Sequence, residues 1–73
     1  MKEKVLEILK ETFELEHVDE NCSQENCQEW DSMGQLNLVA DLEDAFNVSF
    51  EPEEIALMKC YNDIIEILKK KGL

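Results

Sequence analysis

The residues of this chain best suited to chemistry sit in one short stretch, Trp30-Asp31-Ser32-Met33-Gly34. A serine just ahead of an apolar-periodic segment has two uses. Its plain one is structural: Ser32 followed by Gln35 fits the capping-box spacing, in which two side chains satisfy each other's backbone amides. The same position also suits covalent modification. A phosphoester on a serine at a helix N-terminus meets free N–H groups and the positive end of the helix dipole, and a modifying enzyme can reach it. A catalytic serine is the weakest reading. No G-x-S-x-G elbow surrounds Ser32, and the single histidine, His17, lies fifteen residues away, so the hydroxyl has no evident base.

Other reactive side chains cluster in the preceding segment. His17, Cys22 and Cys27 match no common zinc site in number or spacing and are expected to be loop residues. Asp19, Glu20, Asn21 and Glu25 lack the glycine and regular alternation of a calcium-binding loop. Trp30 reads as an anchor for that loop, with a partner contact as its alternative role.

The elements that must position Ser32 are helical. Val5, Ile8, Leu9 and Thr12 recur at helical spacing, with Leu6, Phe13 and Leu15 widening the stripe, which predicts a helix over residues 2–15. Residues 16–31 are polar and acidic, with only Val18 and Trp30 as anchors, and predict a long ordered loop. Residues 32–46 form the clearest helix. Leu36, Leu38, Val39, Leu42, Ala45 and Phe46 give it a broad apolar face; Asn37, Asp41 and Asp44 give it one polar stripe. Pro52 suits the first position of a short helix ending near Met58, with Glu53 and Glu54 at its positive end. A last helix over residues 61–70 turns Ile64, Ile65 and Leu68 inward. Lys69, Lys70 and Lys71 favour its negative end as a solvated terminus, and Gly72 stops it. No strand pattern appears, so the expectation is a single all-α domain over residues 1–73, a small four-helix bundle of three main helices and one short one.

Composition narrows the partners. Eighteen acidic and seven basic residues give a net charge of −11. That surface repels nucleic acid and anionic membranes, and it attracts proteins with basic patches; the bland alternative is that it keeps a small domain dissolved. With 73 residues the core is thin and an enclosed active site is not expected. No apolar run reaches the ~20 residues needed to cross a bilayer. Three cysteines without an apolar leader argue against a secreted disulfide scaffold and lead to the expectation of a cytoplasmic protein; a monomer is expected as well.

The chain resembles the acyl carrier proteins. The resemblance rests on Asp31-Ser32-Met33 at a helix start, continuing through Leu36, Leu38, Val39, Leu42, Glu43, Asp44 and Phe46. It runs on through Val48, Phe50, Pro52, Glu53, Glu54 and Ile55 to Asp63-Ile64. It implies a four-helix bundle that is not itself an enzyme. A holo-carrier synthase would attach 4'-phosphopantetheine from coenzyme A to Ser32, beside Asp31. Acyl-loading and acyl-transferring enzymes with basic patches would then use the cargo held there as a thioester. By the same resemblance, partner recognition falls on Asp31, Met33, Asp41, Glu43, Asp44, Glu53 and Glu54, and an acyl pocket on Leu42, Ile55, Met58, Ile64 and Leu68. Trp30, Gly34, Asn37 and Cys60 depart from the housekeeping fatty-acid carriers. The Trp-Asp-Ser-x-Gly opening is more like stand-alone carriers of specialised routes, such as polyketide, modified-lipid or surface-polysaccharide synthesis. Two other functions remain open: an aminoacyl or peptidyl carrier (a D-alanyl carrier, for example) and an acidic helical adaptor that is never modified.

Overall fold

The computed structural model describes residues 1–73. Four helices account for most of the chain: α1 (Lys2–Thr12), α2 (Ser32–Phe46), α3 (Pro52–Leu57) and α4 (Tyr61–Lys70). There is no strand; one isolated antiparallel bridge joins Ser23 to Cys60. The architecture is a small all-α bundle, and its helix boundaries follow the sequence expectation except at the end of α1.

That helix stops at Thr12 rather than Leu15. Glu14 adopts a left-handed backbone (φ 52°), the Leu15 N–H reaches the Lys10 carbonyl (2.9 Å), and the Glu14 N–H reaches that of Glu11 (3.4 Å). This is the paired bonding of a Schellman turn, with glutamate where glycine is usual. A side chain at positive φ is disfavoured by about 1 kcal/mol. Glu14→Gly is therefore expected to raise the thermal midpoint by about 4–8 °C, read by calorimetry. The end of α2 also has a left-handed residue, Asn47 at φ 54°, with only the longer bond of that pair, from the Val48 N–H to the Glu43 carbonyl (3.2 Å); asparagine tolerates that conformation.

The core is built from Val5, Leu9 and Phe13 of the α1 segment, Leu38, Val39 and Leu42 of α2, and Tyr61, Ile64, Ile67 and Leu68 of α4. Met58 and Phe50 close it from the α3 side. Leu36 does not belong to it: this side chain is 63% exposed. The reason is angular, since residues two apart on a helix point to nearly opposite sides, and Leu38 takes the inward one. Phe46 is only half-buried, with the Lys4 ammonium 5.3 Å over its ring.

The 16–31 loop is ordered by more anchors than Val18 and Trp30. Cys22 and Cys27 are both buried in the core cluster. Its middle pairs with the α3–α4 connection, where the Gln24 N–H donates to Lys59 O and the Tyr61 N–H to Cys22 O, each at 2.9 Å. Trp30 stacks on Phe13 with centroids 5.6 Å apart. Gly34, one turn into α2, lets the loop close down: a Cβ there would overlap the Glu29 carbonyl oxygen and sit 2.9 Å from Phe13 Cε1.

Candidate functional site

Trp30 is 2% exposed and fixes the chain just before α2. Asp31 follows in an extended conformation (φ −101°, ψ −165°) and is the N-cap residue; its carboxylate accepts the Gly34 N–H at 2.8 Å. Asp31, not Ser32, therefore starts the helix. Gln35 does not reach back to the cap either. Its amide oxygen accepts the Trp30 indole N–H (2.6 Å) and its amide nitrogen donates to the Ile55 carbonyl (2.8 Å). The expected Ser32–Gln35 capping box is thus replaced by an Asp31 cap and a Gln35 brace between the loop and α3. Two adjacent residues could each cap, and the extended backbone at Asp31 gave the role to the first.

The consequence for Ser32 is direct. It is exposed, it occupies the first position of α2, and its hydroxyl takes part in no intrachain hydrogen bond. The backbone N–H groups of Ser32 and Met33 likewise have no acceptor within the chain. Beside the hydroxyl lies a cleft of about 480 Å³ lined by Gln24, Trp30, Asp31, Ser32, Gln35, Ile55 and Ala56. The arrangement offers a free hydroxyl, unpaired amide donors at a helix start and an adjoining groove. It offers no general base, since the nearby polar groups are carboxamides and a carboxylate already engaged as a cap.

The seven residues expected to meet partners divide by what else they do. Met33 (72% exposed), Asp44 and Glu53 stand free on the surface. Asp31 is the cap. Asp41 accepts the Thr12 hydroxyl at 2.6 Å, tying α2 to α1. Glu43 accepts the Phe50 N–H at 2.9 Å. Glu54 accepts the Glu51 N–H and pairs with the Lys71 ammonium, both at 2.8 Å. Met33, Leu36 and Ala40 follow one another at i, i+3 and i+7, and all three are exposed, so α2 carries an outward apolar stripe beside Asn37, Asp41 and Asp44.

The backbone bond from Glu51, with Lys71 second, holds the Glu54 carboxyl below its usual range. The folded chain thus favours the ionised form, so this contribution is present above the ordinary carboxylate pKa and lost as pH falls through the depressed one. Glu54→Gln is expected to lower the thermal midpoint at pH 7. The difference from the parent should shrink as pH is lowered through the carboxylate range, which thermal scans across pH will show.

Of the five residues expected to form an acyl pocket, Leu42, Met58, Ile64 and Leu68 are wholly buried in the shared core. Ile55 packs against that cluster and also borders the Ser32 cleft. The parts that two residues play in shaping the site, Gln35 as a brace and Gly34 as a point of close approach, were not expected from the sequence. Gln35 shows no signal beyond its cap spacing. Gly34 does: a glycine inside a helix is costly by about 1 kcal/mol, which points to a close backbone approach.

Comparison of the chain with protein-family models, with curated proteins and with solved structures returns no match.

Proposed function

We propose that this protein is a covalent acyl carrier, with the Ser32 hydroxyl as the attachment atom for a 4'-phosphopantetheine arm. The observation that carries this reading is the free, exposed Ser32 hydroxyl at the start of α2, left unengaged because Asp31 supplies the cap. The residues present fit such a group. The unpaired N–H groups of Ser32 and Met33 suit a phosphodiester, and the cleft along Gln35, Ile55 and Ala56 offers carboxamide and apolar surface to an extended amide chain. When attached, the arm supplies a thiol that holds an acyl group as a thioester.

The chain's own residues would do the rest. Asp31 holds the first turn so that Ser32 projects outward. Trp30 and Gln35 keep the loop and α3 clear of the hydroxyl. Asp44 and Glu53 attract basic partners, while Met33, Leu36 and Ala40 give those partners an apolar contact amid the charge. Fast and weak association suits a component that must visit several enzymes. The departures at Trp30, Gly34 and Asn37 favour a specialised route over housekeeping fatty-acid synthesis.

Intact mass is the test. Incubation with coenzyme A and a broad-specificity holo-synthase is expected to add one phosphopantetheine to the parent and none to Ser32→Ala. An unchanged parent mass, under conditions that modify a control carrier, would overturn the proposal in favour of an unmodified adaptor. If the arm is added, the mass of the group then loaded as a thioester, acyl or aminoacyl, distinguishes the two kinds of carrier.

A further inference from the structure

We propose that Cys22 and Cys27 form a dithiol site, which a small organic disulfide converts into an intramolecular disulfide while Cys60 stays free. The inference is independent of any role for Ser32. Three features of the fold support it. A turn over residues 23–26 reverses the chain between the two cysteines, with the Asn26 N–H donating to Ser23 O at 3.3 Å. The Asn26 side chain clamps that turn, accepting the Ser23 N–H (3.0 Å) and donating to Asn21 O (2.7 Å). Residues 22 and 27 flank that turn, one at each end, so the reversal returns the chain toward Cys22.

Both cysteines also line one cavity. Leu15, His17, Val18, Cys22 and Cys27 line a solvent-connected pocket of about 290 Å³, large enough to admit a small reagent to side chains only 7% and 6% exposed. The electrostatics agree with the proximity: burial raises the Cys22 thiol to about 11, and the neighbouring Cys27 thiol is the next cause. Cys60 is set apart by backbone alternation. It pairs with Ser23 across the bridge, so its side chain shares the Ser23 side, while Cys22 turns the other way into the core.

The exchange balances in two steps. The Cys27 thiolate attacks one sulfur of the incoming disulfide and expels the first small thiolate. Cys22, its proton passing to solvent, attacks the Cys27 sulfur and expels the second. The pair loses two electrons and two protons; the reagent is reduced to two thiols.

The test uses the full reduced chain in a glutathione redox buffer, followed by alkylation in denaturant. Trypsin cuts after Lys10 and Lys59, so Cys22 and Cys27 share one peptide and Cys60 lies in the next. The expected result is a Cys22/Cys27 peptide lighter by two hydrogens and carrying no alkyl group, with Cys60 alkylated. Cys22→Ser should instead hold a single glutathione on Cys27. Cys60→Ser should close the pair as the parent does, which keeps the proposal testable if the first variant fails to fold. The folded chain should also favour the disulfide by about tenfold or more over the chain in urea, because the turn raises the effective concentration of the second thiol. Three alkylated cysteines in a buffer that oxidises a control dithiol would overturn it. So would a bridge to Cys60, a persistent glutathione adduct on the parent, or equal closure in urea.

Discussion

Gly34→Ala is expected to lower the thermal midpoint by about 10–20 °C, whereas a Cβ at Gly72, the other glycine, would meet nothing within 4 Å. Two effects compete at Gly34. Helix propensity favours alanine over glycine by about 1 kcal/mol. Against it, the new Cβ would overlap the Glu29 carbonyl oxygen and press on Phe13 Cε1 at 2.9 Å. Overpacking a tight site costs about 1–3 kcal/mol, and more where the obstacle is backbone. A carbonyl oxygen cannot rotate aside as a side chain can. Phe13 has little room either, since it is 4% exposed and stacked on Trp30. Overpacking should therefore win, by about 2.5 kcal/mol after the propensity gain is subtracted. The loop would lift from α2, taking Trp30 and the Asp31 cap with it, so far-UV helicity and tryptophan fluorescence should change in the same transition. A midpoint equal to or above the parent's would show that the 16–31 segment does not lie against α2 as described.

The contrast between helices and loop explains what could be read from the sequence. The helices were legible because each repeats its signal every turn: Leu38 and Leu42 name the buried face of α2, and Ile64 and Leu68 that of α4. Pro52 marked the start of α3 with one residue. Leu36 misled because apolarity alone does not set direction; only its angle to Leu38 and Leu42 does. The loop was opaque for a different reason. Its anchors, Cys22 and Cys27, are small side chains without a period. Its partners, Lys59 and Tyr61, lie more than thirty residues away, so no local pattern announces the pairing. Ser32 lay between the two cases. Its place at a helix start was plain, but Asp31 and Ser32 are both good caps. Only the extended Asp31 backbone and its 2.8 Å bond to the Gly34 N–H decide which hydroxyl or carboxylate remains available.

That division of labour also determines which acids should steer a partner. Glu43, Glu54 and Asp41 each satisfy a donor inside the chain, so reversing their charge would confuse folding with recognition. Asp44 and Glu53 hold no such bond and are exposed. Asp44→Lys combined with Glu53→Lys should keep the parent's helicity and thermal midpoint within a few degrees. If Ser32 carries the arm as proposed, the double variant should nonetheless slow phosphopantetheine attachment there, measured against the parent's own rate, by roughly tenfold or more at low ionic strength. The mechanism is long-range: changing two negative charges to two positive ones alters the field that a basic transferase follows during approach. Screening supplies the check. The Debye length falls from about 30 Å at 0.01 M salt to about 8 Å at 0.15 M, so the deficit should shrink steadily across that range. A deficit that ignores salt would mean the lysines block a contact at close range. An undiminished rate at 0.01 M would mean that the acidic face plays no part in bringing the enzyme to the hydroxyl.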